Sequence, residues 1–216
     1  MNMAFHYPNG SSYAASKQTP KPNVVHRSNT IYGGRGMTLE DELNAANAYY
    51  LQTGRAVVHK KPTPIQIVRV DYPARSQAVI KEGYFKTPST TDYNGVYRGW
   101  YLDFEAKETK NKASFPLKNF HQHQIDHMRA CLKQDGLCFV VMRFATLHRL
   151  FVVPATPVID AWDHQAEARK SITLDTIIAT GFELTPQLEP TVPYLDGVDW
   201  LINKKVGALR GKNERE

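Results

Sequence analysis

The chain has 216 residues, 42% of them hydrophobic, and a formal net charge of +6. That length fits one principal domain with a sizeable core, and no apolar run reaches the roughly 18 residues that would exclude a non-membrane reading. The N-terminus lacks the apolar core of a secretory signal, and Cys131 and Cys138 are too few for a disulfide scaffold, so a reducing cytoplasm is expected.

Residues 1–32 are rich in Ser, Asn, Pro and Tyr and read as a flexible basic arm. Gly33-Gly34-Arg35-Gly36 is a hinge whose glycines let Arg35 approach a backbone phosphate, which makes it a candidate DNA contact. Thr38-Leu-Glu-Asp41 has a capping-box pattern and starts a helix. Leu39, Leu43, Ala46 and Tyr50 recur along it at helical spacing, and Gly54 ends it. Glu40 and Glu42 suit the positive end of the helix dipole and are candidates to organise a nearby site.

Ala56–His59 reads as a short strand, broken by Lys60-Lys-Pro-Thr-Pro64. Two β-like runs, Ile65–Val70 and Ala78–Phe85, flank a turn at Asp71–Arg75 and predict a basic hairpin. Neither face alternates cleanly, as expected of a strand pair covered by a partner or engaged with nucleic acid.

The stretch Ser89–Lys110 carries the chemistry. Asn94-Gly95 predicts a tight turn between two strands. From Trp100 the pattern alternates, with Leu102, Phe104 and Ala106 on one face and Tyr101, Asp103, Glu105 and Lys107 on the other. Glu105 and Lys107 therefore point the same way, roughly 7 Å apart along the strand. A hairpin returns Asp92 toward them. An acid followed by Glu-x-Lys is the minimal kit for metal-assisted phosphodiester cleavage: two carboxylates hold a hard cation, and an ammonium sits beside the reacting phosphate.

Phe115–Phe120 leads into a helix reaching about Gln134 and closed by Gly136. Leu137–Phe144 and Leu147–Val153 follow as apolar strands, and 156–165 and 173–180 as short helices. The order is helix, strands, helix, strands, helices, a mixed α/β class. His123, His127 and Cys131 are spaced i, i+4, i+8 and can share a helix face, a weak zinc signal beside the apolar Ile125, Met128 and Leu132. Cys138, inside an apolar strand, is expected to be a buried inert thiol.

The charge is unevenly placed. Residues 1–39 hold Lys17, Lys21, Arg27 and Arg35 and no acid. Residues 55–91 hold Arg55, Lys60, Lys61, Arg69, Arg75, Lys81 and Lys86 against Asp71 and Glu82, and the end of the chain adds Lys204, Lys205, Arg210, Lys212 and Arg215 against Glu214 and Glu216. Basic blocks around an acidic metal-site candidate suit a nuclease. Besides Arg35, the candidate DNA contacts are Lys60, Lys61, Arg69 and Arg75. A non-catalytic DNA-binding or recombinase-regulating protein and a sequence-specific restriction enzyme are the competing readings.

The segments Gly36–Asn44, His59–Val68, Ala78–Phe85, Ser89–Lys112 and Ser114–Met128 resemble the RecU Holliday junction resolvases of Gram-positive bacteria, over about residues 33–153. The resemblance implies a restriction-endonuclease-like α/β fold of the PD-(D/E)xK nuclease class, a mixed sheet flanked by helices with a projecting β-hairpin stalk. Composition and charge divide the chain into an arm at 1–32, a nuclease domain at 33–203 with the hairpin at about 60–86, and a basic tail at 204–216. The resemblance further implies a homodimer that nicks paired strands of four-way DNA junctions in recombinational repair and chromosome segregation. Such a protein would act at the nucleoid, alongside recombinase and branch-migration machinery. By the same resemblance, Thr90, Asp92, Glu105 and Gln124 are the positions for one or two Mg2+ ions, with Mn2+ as a substitute. Lys107 is the position of the transition-state stabiliser.

Overall fold

Helix α1 (Leu39–Gln52) begins where the sequence places its cap. Thr38 Oγ1 accepts from the Asp41 backbone N–H at 3.1 Å, and Asp41 returns a bond to the Thr38 N–H at 3.1 Å. Leu39, Leu43, Ala46 and Tyr50 are buried, and Gly54 exits with φ of 66°. The computed structural model describes residues 37–72, 78–86 and 89–213. Residues from Gly36 onward group as one unit. The arm read at 1–32, together with Arg35, lies outside the described residues, as does Arg75 at the predicted hairpin turn.

The strands are β1 (Val57–Lys60), β2 (Ile65–Asp71), β3 (Val79–Phe85), β4 (Tyr93–Tyr97), β5 (Trp100–Thr109) and β6 (Ser114–Pro116). A 3-10 turn at Leu117–Asn119 leads to helix α2 (Gln122–Lys133), then β7 (Leu137–Phe144) and β8 (Arg149–Pro154). Helix α3 (Ala155–Asp163), β9 (Ser171–Thr173), α4 (Leu174–Thr180), β10 (Phe182–Leu184) and α5 (Tyr194–Asn213) complete the order.

Six strands form the central sheet in the order β1-β4-β5-β7-β8-β10. The β5–β7 pair is parallel, joined by a crossover through α2, and the other pairs are antiparallel. The sheet separates two apolar clusters. Leu43 and Tyr50 of α1 and Tyr194, Leu195 and Val198 of α5 pack on one face with Leu102 and Phe104. Ile125 and Met128 of α2, Val158 of α3 and Ile177 of α4 pack on the other with Val140 and Met142. This is the mixed α/β sheet with flanking helices that the sequence predicted. Tyr93, Phe104 and Phe139 stack across three neighbouring strands, with ring centroids 4.9 and 4.7 Å apart.

Two expectations are corrected. Asn94-Gly95 is not the turn: both residues lie inside β4, and the two-residue loop is Arg98-Gly99, with φ of 50° and 80°. Gly95 is there because β1 runs too close for a side chain, since a Cβ would meet Val57 O at 2.1 Å. At the C-terminal end, residues 204–213 are the continuation of α5 rather than a separate tail.

The predicted strand pair is present as β2–β3, antiparallel, with register shifts between Ile67 and Val70. Ile65, Ile67, Val68, Ile80, Tyr84 and Phe85 are all exposed. No helix among the described residues is long and apolar enough to cross a membrane.

Candidate active site

Register builds the site. Tyr93 pairs with Phe104, so Asp92, one residue before β4, comes beside Glu105 of β5. The Asp92 N–H donates to Glu105 Oε2 at 3.3 Å. Leu102 and Phe104 are buried in the α1/α5 cluster, which turns Asp103, Glu105 and Lys107 toward α2.

Glu105 is completely buried. Lys107 Nζ lies 3.0 Å from Oε1 and forms the ion pair that faces that oxygen. Burial, reinforced by the Asp92 carboxyl, pushes the Glu105 carboxyl up to about 8; the Lys107 charge acts the other way. A buried carboxyl that holds its proton beside a second carboxyl is one that a hard divalent cation would ionise, by supplying the counter-charge that burial denies it. These residues fit magnesium.

Thr90 and Gln124 make their hydrogen bonds elsewhere. The Thr90 hydroxyl donates to Thr91 O at 3.1 Å, which leaves its oxygen lone pairs free. Gln124, buried in the first turn of α2, accepts the His121 N–H on Oε1 at 3.0 Å. That bond fixes the amide and leaves one lone pair for a cation. His121 and His123 stack at 5.6 Å. Burial, His121 and then Lys107 push the His123 imidazole below its usual range, against the pull of Asp92. The first turn of α2 therefore faces the carboxylates.

The predicted His123–His127–Cys131 face resolves differently. His123 leaves it for His121, and the residue that joins His127 and Cys131 is Asp103, within 4.8 Å. The cation at that cluster is Lys61, whose Nζ lies 2.8 Å from Asp103 Oδ2 and 3.5 Å from His127 Nε2. An ammonium in that position disfavours a zinc ion. Burial pushes both the Cys131 and Cys138 thiols up, so neither is a ready nucleophile.

The candidate DNA contacts divide. Arg69 is exposed, 3.7 Å from Asp71. Lys60 pairs with Glu40. Lys61, with a side chain only 18% exposed, is committed to Asp103 rather than presented to solvent. Glu40, Lys60, Pro62, Pro64, Thr90 and Asp92 line one cleft of about 320 Å³ at the base of the hairpin. Glu40 is thus the first-turn acid beside the site, whereas Glu42 pairs with Arg143 at 2.9 Å. Sequence reasoning missed Thr91, placed Asp103 on the right strand face without a role, and read His127 as part of a zinc face rather than as a partner of Asp103. Asp103 had one signal, its place two residues before Glu105 on the same strand face.

The family model for recombination protein U, RecU, matches residues 34–200. The chain belongs to the RecU family. The RecU match extends well past the resemblance at 33–153 and reaches into α5. A protein of Lacticaseibacillus casei (strain BL23) called Holliday junction resolvase RecU is 68% identical over 210 residues, 97% of this chain and 100% of its own length. Proteins of the same name from Latilactobacillus sakei subsp. sakei (strain 23K) and Lactiplantibacillus plantarum are 63% and 58% identical over 203 residues, covering 93% and 94% of this chain. They span 97% and 98% of their own lengths.

Proposed function

We propose that this protein is a magnesium-dependent endonuclease that resolves Holliday junctions by paired nicking in recombinational repair and chromosome segregation. The observation that carries the reading is Glu105. It is a completely buried carboxyl set between Asp92 and Lys107 in a RecU-family chain.

Asp92 and Glu105 would hold the ion, with neutral oxygens from Gln124 and Thr90. When bound, a hard divalent ion supplies Lewis-acid polarisation of a phosphoryl oxygen and acidifies water at neutral pH. Lys107, its side chain 17% exposed and 3.0 Å from Glu105, would lie beside the scissile phosphate of a junction bound at the ion. Its ammonium stabilises the charge that grows on the phosphoryl oxygens. Having no lone pair, it does so without ligating the ion. Junction selectivity rests on shape and phosphate contacts made by the β2–β3 pair as a projecting stalk, and by the arm. A homodimer supplies two such sites, which suits a two-fold junction. The exposed apolar residues of β2 and β3 suit a partner surface, a second copy or the junction itself. A protein that acts on chromosomal DNA would work at the nucleoid of the cytoplasm, with recombinase and branch-migration proteins as further partners.

The test is cleavage of a synthetic four-way junction and a linear duplex, with and without magnesium. Junction nicking that requires magnesium and disappears in Asp92→Asn is expected. Junction binding without nicking would replace this reading with that of a non-catalytic binding protein, and equal cutting of the linear duplex with that of a restriction enzyme.

A further inference from the structure

Asp103 is a fully buried carboxylate two residues before Glu105, and no step above uses it. Four polar groups converge on it. Lys61 Nζ and the Tyr101 hydroxyl reach Oδ2 at 2.8 and 2.9 Å, and His127 Nε2 lies 3.1 Å from the same oxygen. The Thr91 hydroxyl donates to Oδ1.

The origin of these groups matters more than their number. Lys61 is the first residue after β1, where the chain leaves the central sheet toward β2, and Thr91 stands just before β4, where the chain rejoins the sheet after β3. Asp103 thus grips both legs of the excursion. Lys61 is held twice, since its backbone N–H also donates to Asp92 O at 2.7 Å. Lys61 Nζ lies 3.1 Å from the Thr91 hydroxyl as well, tying one leg to the other. Asp92 is the next residue after Thr91, and its own N–H is bound to Glu105. The main chain of the candidate metal ligand is therefore held on its N–H side by Glu105 and on its carbonyl side by Lys61, which leads to Asp103.

We infer that Asp103 is a positioning residue that couples the β2–β3 hairpin to the catalytic carboxylates, with Lys61 as the link. A load on the hairpin from a bound junction reaches Asp92 through Lys61 and Thr91, and Asp103 sets the register in which it arrives. This inference rests on the resolvase reading for its catalytic consequence. The coupling itself rests on geometry alone.

Two variants approach the pair from opposite sides: Asp103→Asn, nearly isosteric, and Lys61→Met, which keeps the chain's length without its charge. Tyr101→Phe is the control, because it removes a bond to Asp103 that holds neither leg. Hydrogen exchange is measured over residues 60–65 and 89–93, magnesium binding by calorimetry, and junction cleavage at saturating junction and magnesium. Both variants should accelerate exchange at the two segments together while leaving β7 and β8 protected. At saturating magnesium they should lower kcat about 10- to 100-fold, the scale of a small misplacement of reacting groups. Tyr101→Phe should match the unaltered protein in exchange and in kcat. Unchanged exchange at either segment would overturn the coupling. Exchange that rises evenly through the sheet, with magnesium affinity falling in parallel, would make Asp103 a mere support of the fold. The exchange measurement needs no cleavage, so it decides the coupling independently of whether the unaltered protein cuts a junction.

Discussion

At the scale of the residue, Glu105 makes a prediction that runs against the usual carboxylate. Its folded value of about 8 lies above the 4.5 of an ordinary glutamate. Between those two values the folded state keeps a proton that the unfolded state has lost. Stability of the metal-free protein should therefore fall as pH rises from about 4.5 to about 8, by about 1.4 kcal/mol per unit from this group. Urea midpoints in EDTA at pH 5 to 8 measure the slope. Glu105→Gln should flatten it, and magnesium should restore stability at pH 8 by giving the ionised carboxylate its counter-charge. Lys107 makes the complementary prediction. Its ammonium, 3.0 Å from Glu105, opposes a second cation there. Lys107→Ala should keep or tighten magnesium binding by calorimetry and still lose cleavage on the order of 100-fold. A loss of magnesium affinity would show that Lys107 supports the site's structure instead.

At the scale of the element, β4 and the hairpin each give a test. Gly95 lies where β1 crosses so closely that a Cβ would collide with Val57 O and with the Val58 backbone at 2.1 and 2.6 Å. Gly95→Ala must push two backbones apart and should cost about 1–3 kcal/mol or more in denaturant titration. Gly99→Ala meets no atom and should carry only the strain of its positive φ. In the hairpin, the cations separate by their partners. Arg69→Gln should reduce the salt dependence of junction binding, by up to about 0.9 in log–log slope if it makes one phosphate contact. Lys61→Gln should leave that slope unchanged, because its ammonium already faces Asp103. An identical slope change for both would mean that Lys61 exchanges Asp103 for phosphate on binding.

At the scale of the whole molecule, α5 belongs to the core. Tyr194, Leu195 and Val198 are fully buried, and the Tyr194 hydroxyl donates to Asn47 Oδ1 of α1 at 2.7 Å. Each large apolar side chain contributes about 1.5–3 kcal/mol, and the margin for a whole domain is about 5–15 kcal/mol. Truncation after Val192 should therefore abolish cooperative unfolding by circular dichroism. Truncation after Gly207, beyond Leu201, the last buried residue among those described, should keep it.

The sequence by itself determined what local rules can reach. The Thr38 cap and the Leu39–Tyr50 spacing place α1, and the alternation through Leu102–Lys107 assigns faces correctly. Asp92 and Glu-x-Lys mark a candidate site because their chemistry is written at short range. Tertiary structure decided the rest, because the deciding contacts span long separations. Asn94-Gly95 has turn residues, yet β1 occupies the space beside Gly95 and the strand runs on to Arg98-Gly99. Lys61 looks like a phosphate contact until a carboxylate 42 residues away claims it. Helix α5 has mixed polarity and basic residues near its end, so its burial against α1 is invisible until the sheet brings the two together. Asp103 has the same composition-level signature as any strand acid. Only the return of the chain through Lys61 and Thr91 makes it the point where the hairpin meets the site.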